Sequence, residues 1–258
     1  MAPGGARVNA LSVPHWSSIA GLVHGFLGRR GGISRGVFAE LNLSYQVGDD
    51  ALDVDANWDL ARQAASDLPF VRMRQVHGTR VMRVEPKMTA AGDADGLVVA
   101  QPDVALSVLT ADCVPILLVS EHRRVAAAVH AGWRGTLNGI VDVAVLQLEQ
   151  QEGVNRDELQ AALGPAIGGC CYQVDAALAD QLSSACGAPD AVVDRDSPSK
   201  ARVDLRRMNA ERLRRAGLSE GSISTIGPCT CCASDDYFSH RGSGGSTGRQ
   251  LSFIGWRS

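Results

Sequence analysis

Several things are scarce in this 258-residue chain. Aromatic side chains make up only 5% of it, and the tryptophans, Trp16, Trp58, Trp133 and Trp256, are scattered. They read as packing residues rather than a base-stacking platform, with Trp133 close enough in sequence to His130 to line a cleft. No charge sign dominates: 25 lysines and arginines stand against 28 acids, the formal net charge is −3, and no basic block stands out. That balance speaks against nucleic acid as the main partner. Long hydrophobic runs are missing too. The most apolar stretch, Val104–Val119, is broken by Asp112 and Pro115, whereas a bilayer-spanning helix needs about 20 apolar residues. No membrane partner is expected. The first ten residues carry Arg7 with no apolar core behind it, so no secretory signal is expected and the cytoplasm is the expected location. Cysteine is present but in the wrong pattern for a disulfide framework. The seven residues, Cys113, Cys170, Cys171, Cys186, Cys229, Cys231 and Cys232, are odd in number and clustered. In a chain of this size that suggests thiols, metal ligands or a nucleophile. Cys229 and Cys232 have C-x-x-C spacing, but no second such pair completes a four-cysteine zinc site. Those cysteines are read as reduced and structural, and Cys170 and Cys171 as small-residue packing.

The chain has ample apolar material, 45% of the residues, to bury a sizeable core. Disorder, collagen and a disulfide miniprotein are excluded by composition. Strands are expected at Gly21–Leu27, Val71–Val76, Arg80–Val84, Gly96–Val99, Val104–Leu109, Val114–Ser120, Arg124–Val129, Ser222–Ile226 and Leu251–Ile254. Many lack clean alternation, which indicates burial on both faces. Helices are expected over Asp50–Ser66, Thr136–Glu149, Asp175–Cys186 and Asp204–Ala216. Neither a linker nor an internal repeat divides the chain. The reading is one α+β domain over residues 21–258, preceded by a loose tail over 1–20. The glycine-rich stretch Gly28–Gly36, with Arg29, Arg30 and Arg35, reads either as an anion-binding turn or, better, as an ordinary hairpin.

Three segments carry potential chemistry. Arg74–Gly78 ends a strand and contains His77; Leu109–Pro115 lies between two strands and contains Cys113; Val129–Gly135 runs from a strand into a helix and contains His130. Each puts one imidazole or thiol at an element boundary, where loops converge. Two histidines and one cysteine make a legitimate catalytic zinc set with a fourth position left open. The same residues also read as a Cys113–His130 nucleophilic pair oriented by Asp112 or His77, because both chemistries need thiolate and imidazole side by side. In the third segment, Gly132 and Gly135 lie in a turn before a helix whose N-terminus offers free N–H groups to an anion, with Arg134 as a phosphate contact; the alternative is a plain strand–helix connection with a solvated arginine.

Taken in order, the motifs resemble one family. Arg29-Arg30-Gly31-Gly32-Ile33-Ser34, Leu41-Asn42-Leu43, Val47-Gly48-Asp49-Asp50, Gln75-Val76-His77-Gly78, Ala94-Asp95-Gly96-Leu97 and Thr110-Ala111-Asp112-Cys113 come first. Val129-His130-Ala131-Gly132-Trp133-Arg134-Gly135, Leu163-Gly164-Pro165-Ala166-Ile167, Asp204-Leu205 and Thr247-Gly248-Arg249 follow. The chain is similar, from about Gly21 to Ile254, to the laccase-domain, polyphenol-oxidase-like family described as purine nucleoside phosphorylases. The resemblance implies a layered α/β/β/α sandwich with mixed sheets, and one catalytic zinc held by His77, Cys113 and His130. It implies phosphorolysis of adenosine, inosine, guanosine and methylthioadenosine, and deamination of adenosine. Two positions depart from the family pattern: Gly28 stands where threonine often precedes the arginine, and His240 where tyrosine is common.

Under that reading the substrates are purine nucleosides and inorganic phosphate, and the protein is a monomer or small homo-oligomer. Asp95 or Asp112 serves as proton shuttle or orients a ligand. Arg29 is the preferred catalytic phosphate arginine, with Arg134, Arg241 and Arg249 as further candidates and Asn42 as a substrate contact. A copper polyphenol oxidase is the first alternative, and a His2Cys set suits copper. Its full multicopper form needs on the order of ten imidazoles, against six histidines here. A metal-free Cys–His hydrolase acting on an amide, such as a cell-wall peptide precursor, is the second. A binding module explains least, since it gives three converging ligands no purpose.

Overall fold

The computed structural model describes residues 8–258. Along the chain come β1 (Ala10–Leu11), β2 (Leu22–Leu27), α1 (Ala51–Ala64), β3 (Phe70–Arg74), β4 (Val81–Arg83), β5 (Ala90–Asp93) and β6 (Gly96–Val99). Then follow β7 (Val104–Thr110), β8 (Val114–Ser120), β9 (Val125–Ala131), α2 (Trp133–Asn138), α3 (Ile140–Glu152), β10 (Gln160–Leu163) and β11 (Gln173–Asp175). The chain finishes with α4 (Ala176–Cys186), β12 (Val192–Ser197), β13 (Lys200–Val203), α5 (Leu205–Arg215), β14 (Ile223–Thr225) and β15 (Gln250–Trp256). No helix among the described residues is long and apolar enough to cross a membrane.

Two six-stranded mixed sheets form the centre. The first runs β1-β2-β15-β7-β3-β5 and the second β14-β10-β8-β9-β6-β4; a small third sheet, β11-β13-β12, lies beside the second. The central strands β8 and β9 are buried at every position, which is why their sequences read as continuous apolar runs. Their faces divide by the two-residue period of a strand. Leu117, Val119, Ala126 and Ala128 face the other sheet, where Phe26, Leu106, Val108, Ile254 and Trp256 meet them. Ile116, Leu118, Ala127 and Val129 face the opposite way, onto Val141, Ala144, Val145 and Leu148 of α3 and Leu213 of α5. On the outer face of the first sheet, Leu251 and Phe253 of β15 meet Ala61 of α1. The result is the expected α+β sandwich, layered α/β/β/α.

Local signals account for the helix ends. Asp50 caps α1 by accepting from the Leu52 N–H at 2.8 Å, and Asp204 caps α5 by accepting from the Arg206 and Arg207 N–H groups. The single helix expected over Thr136–Glu149 is two helices. It starts earlier, at Trp133, and breaks at Gly139, whose left-handed backbone (φ 80°) closes α2 and opens α3. The tail expected over 1–20 also needs correction. Residues 1–7 lie outside the described part, but Ala10–Leu11 pair with Leu27 and Phe26. Val13 and Trp16 have no exposed surface, and Trp16 Nε1 donates to Gln160 Oε1 at 2.7 Å. The indole plugs the end of the core between the sheets, so the folded part begins well before residue 21. The strands absent from the sequence reading, β1, β5 and β10 to β13, are short or carry charged residues such as Asp194, Arg195 and Asp196, which hide a strand period. The polar loop at Ser197–Ser199 is the turn of the β12–β13 hairpin.

Burial in the intersheet core sets the stability expected of single positions. Leu117→Ala removes a fully buried side chain from β8 and is expected to cost about 2–5 kcal/mol in urea unfolding. Leu146→Ala, at a position 41% exposed on α3, is expected to change stability by about 0.5 kcal/mol or less.

Candidate metal centre and its cleft

Three elements deliver the three candidate ligands. His77 sits in the loop after β3, Cys113 in the short turn by which the chain crosses from β7 of the first sheet to β8 of the second, and His130 within β9. Each is placed by its neighbours. Gln75 turns both ends of its amide onto the Leu109 backbone, donating to the carbonyl at 2.7 Å and accepting from the N–H at 2.8 Å. That extends the pairing of β3 with β7 past the strand end. His77 then adopts a left-handed backbone (φ 59°), uncommon outside glycine.

Asp95, immediately before β6, is fully buried. Its carboxylate accepts from the backbone N–H groups of Val76, His77 and Gly78 at 3.2, 3.0 and 2.7 Å, and from His130 Nδ1 at 2.8 Å. Burial would raise its pKa, but the bond from His130 and those from the Gly78 and Val76 N–H groups hold it below the usual carboxylate range. The same contact fixes the His130 tautomer and leaves Nε2 for the cleft. There the ligand atoms of His77, Cys113 and His130 all lie within 4.8 Å of one another. The Cys113 sulfur is 3.9 Å from His77 Nε2, and the two imidazole rings stand edge to face, 4.9 Å apart.

Gly132 leaves room for this group. A Cβ there would lie 2.9 Å from His77 Cδ2 and 3.1 Å from Cys113 Sγ, so any larger residue would push into the ligand set. One thiol and two imidazoles around an open side match the donor set a zinc or copper ion accepts. Electrostatics prepare the thiolate. Burial alone would push the Cys113 thiol up, but the charge of His130 and hydrogen bonds from both imidazoles bring it down to about 6. Burial would likewise lower His130; the Cys113 thiolate and Asp95 outweigh it and raise the imidazole to about 9.

The group opens into a cavity of about 610 Å³. Arg72, Arg74, Arg134, Arg241 and Arg249 reach its wall, together with Tyr172, Trp133 and His240. Of the arginines expected from sequence, Arg134, Arg241 and Arg249 line this cavity. Arg29 and Asn42 do not. Arg29 donates to the carbonyls of Ala39 at 2.6 Å and Ser234 at 2.9 Å and lies over the Phe238 ring, so it clamps two loops together away from the cleft. Asn42 is fully buried; it donates to Asp49 and accepts from the Arg249 N–H at 2.9 Å. It acts on the cleft through backbone groups of two wall residues, the Arg249 N–H and the N–H and carbonyl of Ser44. The glycine-rich turn at Gly28–Gly36 already holds an anion, the Glu40 carboxylate, which accepts from the Gly31 N–H at 2.7 Å. Asp112 lines the cleft, but its carboxylate accepts from Thr230 Oγ1 and the Arg241 N–H, both at 2.7 Å. Both carboxylates are thus held by hydrogen bonds beside the His77–Cys113–His130 group. Sequence reading missed Arg72 and Tyr172, which carry no motif and reach the wall only through folding.

Residues 23–257 match the family described as multi-copper polyphenol oxidoreductase laccase, and the chain belongs to that family. It is 37% identical over 253 residues to purine nucleoside phosphorylase YlmD of Geobacillus stearothermophilus, covering 92% of this chain and 91% of that one. The crystal structure of that YlmD gives a TM-score of 0.88 over 93% of each chain, at 35% identity. Adenosine deaminase RL5, from an unknown prokaryotic organism, is 35% identical over 245 residues, covering 90% of this chain and 93% of its own. The crystal structure of Bacillus licheniformis hypothetical protein YfiH gives a TM-score of 0.90 at 31% identity, covering 98% of this chain and 97% of that one.

Two outcomes follow from the electrostatics. In metal-free protein, alkylation of the Cys113 peptide by iodoacetamide is expected to persist down to about pH 6. It falls as the pH drops through that value, because the thiolate is then protonated. His130→Ala removes the partner charge and moves the midpoint up; an unchanged midpoint would contradict the pairing. Separately, Asp95→Asn brings an amide donor against three backbone N–H groups that need an acceptor. Zinc affinity, read by competition with a chromogenic chelator, is expected to fall about 10–100-fold.

Proposed function

We propose that this protein is a zinc-dependent purine nucleoside phosphorylase, acting on adenosine, inosine, guanosine and methylthioadenosine, that also deaminates adenosine. The observation that carries the proposal is the convergence of His77, Cys113 and His130, with Asp95 behind them, on a nucleoside-sized cavity. The names of the relatives, purine nucleoside phosphorylase and adenosine deaminase, supply the substrate class. When bound, zinc would supply Lewis acidity and lower the pKa of water.

The chain's own residues do the rest. Asp95 keeps the His130 Nδ1 proton in place, so that Nε2 stays free to ligate. Arg134, Arg241 and Arg249 are the proposed phosphate cations. Arg134 lies over the Trp133 ring, 4.1 Å from its centroid, and Arg241 over Tyr172, 5.1 Å away. Stacking fixes each guanidinium plane before an anion arrives, which lowers the entropy lost on binding. Arg249 donates to the Thr247 and Gly248 carbonyls, and burial pushes its pKa down; an incoming anion would relieve that burial cost. Thr110 Oγ1 is buried without a hydrogen-bond partner at the cavity wall, a free polar contact for a nucleoside. The cytoplasm remains the proposed location.

Zinc is proposed over copper on the imidazole count. Of the six histidines, two converge with Cys113, enough for one ion and far short of a multicopper centre. The test is metal analysis alongside adenosine turnover, with and without phosphate, in protein purified without a metal-affinity column. About one zinc lost with the activity in Cys113→Ala supports the assignment. Phosphate-dependent adenine release specifies phosphorolysis, and inosine release specifies deamination. A wild-type chain that binds no metal at this group and turns over no nucleoside overturns the proposal in favour of the Cys–His hydrolase.

A further inference from the structure

The C-x-x-C pair Cys229 and Cys232 lacks a second C-x-x-C in the sequence, but the fold supplies two more thiols. Cys170 and Cys171, neighbours in the loop after Gly168-Gly169, meet it from the other side. The four sulfurs all lie within 4.8 Å of one another. Cys232 Sγ is 3.5 Å from Cys170 Sγ and 3.4 Å from Cys171 Sγ. In a tetrahedral site with zinc–sulfur bonds of about 2.3 Å, neighbouring sulfurs are about 3.8 Å apart. The observed spacing is close to that edge. The Cys229 sulfur also accepts a hydrogen bond from the Gly168 N–H at 3.2 Å, a contact that favours thiolate. Cys231 is not part of the group.

We propose that Cys170, Cys171, Cys229 and Cys232 form a second, structural metal site that takes zinc through four thiolates. A redox pair is the competing use of such thiols. The arrangement does not single out a pair: Cys232 is equally near two partners, as a vertex of a polyhedron is, and a fourth thiol completes the set. Four soft donors with no carboxylate or imidazole among them suit a closed tetrahedral site, in contrast to the open His77–Cys113–His130 group. Binding expels up to four thiol protons and leaves a dianionic centre.

The site would clip together two loops that build one wall of the cleft. Ala166 and Cys229 already form an isolated β-bridge, and the Thr230 N–H donates to the Ala166 carbonyl at 3.0 Å. Beyond the clip, Tyr172 on one loop stacks under Arg241 on the other, whose Nη1 donates to the Gln173 carbonyl at 2.9 Å. Thr230 and Arg241 also hold Asp112, next to Cys113. Metal at the four thiols would therefore fix the distance between Tyr172 and the arginine without touching substrate.

The experiment counts zinc in reduced protein. Cys113→Ala disables the first metal group, so zinc on that chain reports the four thiols alone. The expected result is one zinc per Cys113→Ala chain by native mass spectrometry, and none once Cys171→Ser and Cys232→Ser are added. Cobalt in its place should give strong thiolate-to-cobalt charge transfer that the added substitutions abolish. A reduced Cys113→Ala chain that takes up no zinc overturns the proposal. So does recovery of a Cys170–Cys232 or Cys171–Cys232 disulfide in place of metal. Should the triple variant fail to fold, the wild-type chain decides. Zinc should protect the Cys171 and Cys232 peptides from alkylation, and a chelator should expose them; reactivity that ignores zinc refutes the site. Protection of the Cys113 peptide in the same digest reports the first metal group separately.

Discussion

A carboxylate with no solvent contact keeps its charge only if donors surround it, and Asp95 has four. Three are consecutive backbone N–H groups of the loop carrying His77, and the fourth is His130 Nδ1. The backbone adds a further tie, the His130 N–H donating to the Asp95 carbonyl at 2.7 Å. One buried side chain thus fixes two ligands from different parts of the chain. It also polarises the imidazole that lowers the Cys113 thiol. Removing the charge would release the His77 loop, the His130 tautomer and the thiolate together, because all three rest on this one contact.

The two-sheet architecture determines where such a contact can form. β7 belongs to the first sheet and β8 to the second, so the turn at Ala111–Cys113 bridges the sandwich at its end. The left-handed backbone of Asp112 (φ 93°) makes that turn tight, and its carboxylate ties it to the loop from Thr230 to Arg241. The apolar core between the sheets holds the strand ends apart by a fixed amount. The cleft is the space left where the layers stop, and loops from several parts of the chain close over it.

Positive charge is distributed by the same logic. The arginines nearest in sequence to the glycine-rich motif look best suited to an anion, yet Arg29 is spent on backbone carbonyls and Glu40 occupies the Gly31 turn. The arginines that reach the cleft come from unrelated segments: Arg72 and Arg74 from β3, Arg134 from α2, Arg241 and Arg249 from the C-terminal loops. Arg74 is paired with Asp93, whereas Arg134 and Arg241 are stacked on aromatic rings. An arginine held by a ring keeps its full charge for an anion, whereas one held by a carboxylate has two N–H groups occupied and its charge offset.

The sequence by itself determined the α+β class, the buried central strands and most helices, because apolar period and capping residues act over a few neighbours. It also determined the family and, through motifs, the three residues of the metal group. The tertiary structure decided what depends on which donors meet. It set the Asp95 carboxylate against His130 and the His77 loop, took Arg29 and Asn42 out of the cleft and brought Arg72 and Tyr172 in. It drew the N-terminal segment into the core through Trp16, and split one helix at Gly139, whose left-handed backbone closes α2 and opens α3. It also gathered four cysteines separated by some 60 residues. The physical reason is the same each time. Hydrogen-bond saturation, burial of charge and ligand geometry act over a few ångströms in space, and residues far apart in the chain carry no local mark of meeting there.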